Sequence, residues 1–260
     1  MDPVRGLLIA AAAATGGAIN AIAGGGTLIT FPAIVALGLA PLSANATSTV
    51  ALLPAAIGSM WGYRRHLEGA RRWIIHFTLP SLLGGATGAW ALLHTPNASF
   101  ERVVPFLVAG ATLLFAFQKR IQGGLKREPA TPDEASPDRP SVAFVALQFA
   151  VGVYGGYFGA GIGVLMLAVL GLMGLTDIHR MNGLKNWGGL CMNGVAAIAF
   201  ARSGLVDWPV AGVMAAGALA GGYGGSRLAQ HVGRRAVQKV VIGAGTLATV
   251  WLFARAFEIQ

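Results

Sequence analysis

The stretch Gly16–Thr49 reads GGAINAIAGGGTLITFPAIVALGLAPLSANATST, and its order decides the fold class. An apolar segment runs into three glycines, Gly24, Gly25 and Gly26. A second, short apolar segment continues to about Leu39. Small polar side chains follow: Ser43, Asn45, Thr47, Ser48 and Thr49. A soluble core has little use for this order. At bilayer depth, glycines break a helix and present backbone N–H groups where a ligand can meet them.

The rest of the chain agrees. Its 260 residues are 55% hydrophobic and 11% charged, whereas soluble domains carry about 25% charged residues. Long apolar runs recur and read as transmembrane helices. The 38 glycines suit close helix packing and broken helices in lipid. The expected class is all-α, a multi-pass protein of the cell (inner) membrane with the lipid bilayer as its surroundings. The formal charge of +9 would suggest nucleic acid in a soluble protein. Here most Lys and Arg lie in short loops between apolar runs, which is positive-inside topology, and no nucleic-acid partner is expected. The single cysteine, Cys191, sits in an apolar run and reads as a small packing residue. Arg5, Leu7–Ala14 and Ala21-Ile22-Ala23 imitate a signal peptide with its cleavage site. The same segment has a counterpart later in the chain, so it is read as part of the fold.

Ten segments follow in order: Val4–Ile22, Thr27–Leu39, Ala44–Tyr63, Trp73–Leu93, Val103–Phe117, Ser141–Phe158, Ile162–Leu175, Gly183–Phe200, Trp208–Leu228 and Ala236–Ala254. Between the fifth and sixth, Gln118–Pro140 has no apolar period and reads as a solvated linker. The domains expected are a first transmembrane repeat over 1–118, a cytoplasmic hydrophilic linker over 119–140 and a second repeat over 141–260. Gly159 lies 135 residues after Gly24, Trp208 lies 135 after Trp73, and Asn182 lies 137 after Asn45. Three spaced landmarks in near-constant register indicate a duplication.

Charge indicates that the duplication is inverted. Arg64–Arg72 is strongly basic and the loop after the fourth segment is nearly neutral; in the second half, Arg202–Asp207 is nearly neutral and Arg227–Arg235 is basic. Equivalent loops therefore prefer opposite sides, as inverted repeats require. Each half must then cross an odd number of times, with a re-entrant or broken hairpin and three full helices. The two basic loops and the linker are expected to be cytoplasmic, and both termini external.

Every acid lies in a loop or near a segment end, which weighs against a cation substrate. The donors point the other way. New helices are expected at Thr27, after Gly24–Gly26, and near Ile162, after Gly159-Ala160-Gly161. A helix N-terminus offers unpaired N–H groups and about half a positive charge, so two converging at mid-membrane can hold an anion. The Asn45–Thr49 cluster, with Thr47 and Ser48, adds amide and hydroxyl donors, and its counterpart in the second half adds Asn182, Lys185 and Asn186. The expected substrate-binding set is thus Gly24, Gly25, Gly26, Thr27, Asn45, Thr47, Ser48, Thr49, Gly159, Gly161, Asn182, Lys185 and Asn186. Each has a plainer explanation. Glycines allow close packing, Ser and Thr bond their own backbone, and Lys185 can snorkel. Asn20 and Asn193, inside apolar segments, can act as interhelical glue. The recurrence of glycine break, short helix and Asn-led cluster is harder to explain by packing alone.

The glycine-broken opening followed by ANATST resembles the opening of the TauE/SafE family, the sulfite exporter-like anion permeases, and MNGLKN at Met181–Asn186 resembles the second-half motif of that family. The resemblance covers nearly the whole chain. The sequence departs from the family pattern in Tyr154–Gly161 (YGGYFGAG) and in Met181, where alanine is more usual. The resemblance implies transport of sulfite or organosulfonates such as sulfoacetate. No GxxxxGK[ST] motif is present, so the energy source expected is an ion gradient or the substrate's own gradient. An anion channel is the alternative reading. An intramembrane enzyme is a weaker one, because no HExxH or nucleophile–base spacing appears. No catalytic residue, metal or cofactor is expected, and a homodimer fits the class.

Overall fold

The helix breaks fall where the glycines predict them. The computed structural model describes residues 2–23, 25–68, 70–124, 142–173, 175, 177–228 and 234–258. Among these, the elements are α1 (Pro3–Ala23), α2 (Thr27–Ala36), α3 (Pro41–Tyr63), a 3-10 turn (Arg64–Leu67), α4 (Arg71–Leu93), α5 (Asn97–Gly124), α6 (Val142–Tyr157), α7 (Ile162–Leu172), α8 (Ile178–Arg202), α9 (Trp208–Leu228) and α10 (Arg234–Glu258). Gly24 and most of the expected linker lie outside the described residues. The helix α5 continues past Phe117 and takes in the first residues of that hydrophilic stretch.

Local chemistry explains the ends. At the close of α2, the Gly38 N–H bonds the Val35 carbonyl at 3.0 Å and the Leu39 N–H bonds the Ile34 carbonyl at 3.1 Å. Gly38 has φ 97°, the left-handed turn that this double closure needs. Pro41 then opens α3 at a position where a missing N–H is no loss. In the second hairpin Gly159 and Gly161 have φ 79° and 78°, so α6 cannot run on into α7. The arms of the hairpins are unequal. In the first, α1 has 21 residues and α2 has 10; in the second, α6 has 16 and α7 has 11. At 1.5 Å per residue the short arms reach only about half-way through a bilayer.

The packing repeats between the halves. The helix α1 packs on α9 as α6 packs on α4, α3 packs on α9 as α8 packs on α4, and α3 meets α8 as α5 meets α10. Exchanging the two halves therefore maps the main contacts onto themselves. Both long interfaces are made by glycine. Gly221 of α9 abuts the Ala14 carbonyl of α1, and Gly156 of α6 abuts the Gly85 carbonyl of α4. A Cβ at either place would strike backbone, so these helices approach as small-residue membrane interfaces do.

The outside is apolar. Leu7, Leu79, Phe106, Leu113 and Leu247 are exposed, whereas the buried polar side chains among the described residues are all neutral: Thr30, Asn45, Thr47, Ser48, Ser81, Thr112, Gln118 and Gln148. By length and composition alone, two described helices qualify as membrane spans, Asn97–Ile121 and Gln238–Ala256. Other long helices are diluted by Gly, Ser, Thr, Asn and terminal charges in their sequences.

Candidate functional site

The first break packs inward. Gly26 precedes α2 and meets the Gly16 carbonyl of α1, with Asn20 alongside. Gly25 lies against the Phe115 ring of α5. In the second break, a side chain at Gly161 would sit 3.6 Å from Ala111 of the same helix. Ala111 and Phe115 are one turn apart on one face of α5. Both glycine breaks therefore meet the same helix face at neighbouring positions. Phe31 of α2 and Phe158 of the second break stack edge to face, with centroids 5.4 Å apart.

The polar cluster of α3 reaches across to the opposite half. Asn45 donates its side-chain N–H to the Tyr157 carbonyl, the last of α6, at 2.9 Å. Tyr157 is also tied to the first half through its hydroxyl, 3.3 Å from Thr95 Oγ1. Tyr154 donates its hydroxyl to the Ala160 carbonyl at 2.7 Å, bracing the break from within. Asn193 of α8 lies near Gly159: a Cβ there would be 3.7 Å from Asn193 Oδ1.

The candidates separate by what their polar atoms do. Thr47 Oγ1 accepts the Asp207 N–H at 3.0 Å, while the Asp207 carboxylate caps α9 by accepting the Val210 N–H at 3.0 Å. Thr49 Oγ1 donates to the Asn45 carbonyl at 2.9 Å, its own helix. Asn45 Oδ1 and Ser48 Oγ, each on a side chain only 1% exposed, have no hydrogen-bond partner among the described residues. Thr27 is half-buried at the start of α2. Asn182, Lys185 and Asn186 are half-buried in the first turns of α8, the helix packed on α3, and Asn182 and Lys185 make further contacts. Gly24 lies outside the described residues. The expectation that Asn45 supplies amide donors needs refining, since that donor group is turned toward the Tyr157 carbonyl.

Sequence reasoning did not single out Ala111, Phe115, Tyr154 or Tyr157 for the site. Nothing in the periodicity of α5 marks which face receives the breaks. The Tyr157 contribution is a main-chain carbonyl, which no side-chain pattern reports. Asn20 and Asn193, read as glue, were legible as polar residues in apolar runs, and each stands beside a break.

A family model described as Sulfite exporter TauE/SafE matches residues 8–252. The chain belongs to the TauE/SafE family. Among its relatives, a probable membrane transporter protein of Haemophilus influenzae is 28% identical over 86% of this chain and 85% of its own length. The probable membrane transporter protein ORF9 of Sinorhizobium is 28% identical over 94% of this chain and 90% of its own. The probable membrane transporter protein YfcA of Escherichia coli K12 is 26% identical, over 87% and 81%. No solved structure matches the chain. TauE/SafE membership makes this a protein of a membrane transporter family, and the helix breaks are to be read in that setting.

Proposed function

We propose that the protein is a multi-pass secondary transporter of the inner membrane that carries small sulfur-containing anions, sulfite or organosulfonates, at a site between its two repeats. The observation that carries this reading is the meeting of both glycine breaks on one face of α5, Gly25 at Phe115 and Gly161 at Ala111. Each break starts a helix, and each helix start brings about half a positive charge. Two such ends brought against one helix face favour an anion without a buried arginine. The neutrality of the buried polar side chains supports the same sign: among the described residues no buried carboxylate opposes an anion. Ser48, Asn45, Asn182, Lys185 and Asn186 complete the proposed site, with Gly25–Thr27, Gly159 and Gly161 supplying backbone.

The two repeats are inverted in this reading, and rocking of one against the other alternates access. The polar bonds from Asn45 to Tyr157 and from Thr47 to Asp207 are among those between the halves that such a motion would remake. Interfacial anchors fit a membrane setting. Arg64 lies over the Trp61 ring at 4.5 Å, Arg255 over Trp251 at 5.7 Å, and Trp90 stacks on His94 at 4.4 Å, each near a helix end.

The test is sulfite flux in proteoliposomes reconstituted with the purified protein. Saturable flux is expected, lost or reduced at least about ten-fold in the Lys185→Ala, Asn45→Ala double variant, since hydrogen bonds and charge contacts of this kind are each worth about a kcal/mol or more. Unchanged flux in that variant removes the site.

A further inference from the structure

The bond from Asn45 to Tyr157 fixes the orientation of the Asn45 amide, because a carbonyl oxygen accepts only from the NH2 end. Oδ1 is therefore the end left over. It is an acceptor, it is buried, and it has no partner among the described residues. One turn along, Ser48 Oγ is equally buried and equally unbonded. Positions three apart share a helix face, so the two atoms look toward the same neighbourhood. Buried polar atoms in folded proteins nearly always have partners, and an orphan pair marks a place where a ligand, an ion or water completes the bonding.

The two atoms ask for different things. Ser48 can donate its hydroxyl hydrogen to an anionic oxygen. Asn45 Oδ1 can only accept, and an oxyanion bearing acceptors alone would face it lone pair to lone pair. Resting on the proposed anion transport, we infer that the transported anion carries its own hydrogen-bond donor, an O–H or N–H that Asn45 Oδ1 accepts while Ser48 binds the anionic group. This divides the substrate class. Hydrogensulfite and hydroxylated or aminated sulfonates satisfy both atoms. Sulfoacetate, acceptor-only at neutral pH, leaves Oδ1 unpaired and is a poor substrate. Sites built to bond a substrate hydroxyl reject the analogue that lacks it, because the protein's polar group is then stranded.

Two probes isolate the effect: 2-hydroxyethanesulfonate and ethanesulfonate, alike in charge and close in size, differing by one hydroxyl. Uptake into proteoliposomes by the wild-type protein should favour the hydroxylated anion by about ten-fold or more. In Asn45→Leu the ratio should fall to about one. In Ser48→Ala both rates should fall while the ratio persists. Equal wild-type rates overturn the inference and leave anion transport standing. A ratio that survives Asn45→Leu, or that collapses in Ser48→Ala alone, also overturns it. Sodium-dependent flux with no discrimination gives Oδ1 to a cation and has the same consequence. If sulfite and both sulfonates fail to cross, the transport reading falls and the inference with it. Should Asn45→Leu not fold, the wild-type ratio still decides.

Discussion

Asn45 and Thr47 are two residues apart and do different work. Asn45 crosses to the second half and holds the carbonyl at the end of α6. Thr47 turns toward α9, where its oxygen accepts the N–H of the residue that caps that helix. Thr47 is fully buried, so an isosteric valine would leave the Asp207 N–H without its acceptor. Thr47→Val is expected to lower stability by about 1–3 kcal/mol, read as an earlier thermal unfolding midpoint in detergent. An unshifted midpoint would mean that water takes the place of the hydroxyl. Thr49 bonds its own backbone and is expected to contribute little to either property.

At the scale of the element, the second hairpin depends on two left-handed glycines. An L residue in that conformation costs about 1–2 kcal/mol. At Gly161 a methyl group would rest at ordinary contact distance from Ala111, so the backbone conformation supplies the whole penalty. At Gly159 the methyl would also press on the Gly155 carbonyl at 3.0 Å. Gly159→Ala should therefore destabilise the protein more than Gly161→Ala, and comparison of their unfolding midpoints checks the order. The reverse order would place the strain somewhere other than the break. The first hairpin turns by another route, with Gly26 in right-handed geometry and packed against Gly16.

Over the whole molecule, the exchange of contacts between halves matches the 135–137-residue register of the sequence. It extends to the surface. A groove of about 500 Å³ between α5 and the second hairpin is lined by Gly110, Leu114 and Leu165. One of about 360 Å³ between α10 and the first hairpin is lined by Leu247, Trp251 and Leu28. Contact symmetry alone fits a parallel or an inverted pair, and loop charge favours the inverted one. With Cys191 replaced by serine, a cysteine introduced as Ser203→Cys should react with an impermeant maleimide in intact spheroplasts. Arg65→Cys should react only after lysis. Labelling of both from the same side would exclude inversion.

The sequence by itself determined the helical class, the two glycine breaks and the membrane setting. Each is written locally, in apolar period, in glycine and in charge, and the helix bounds follow those signals within a few residues, except that α5 extends further at both ends and α8 begins five residues earlier. It also named Asn45 and Ser48, whose polarity in an apolar segment was visible. Only the tertiary structure decided which way each polar atom turns: Thr47 to α9, the Asn45 amide to a main-chain carbonyl 112 residues away. It alone brought both breaks to Ala111 and Phe115. Such pairings arise from helix packing between halves, and a contact between distant segments leaves no trace in the period or composition of either one.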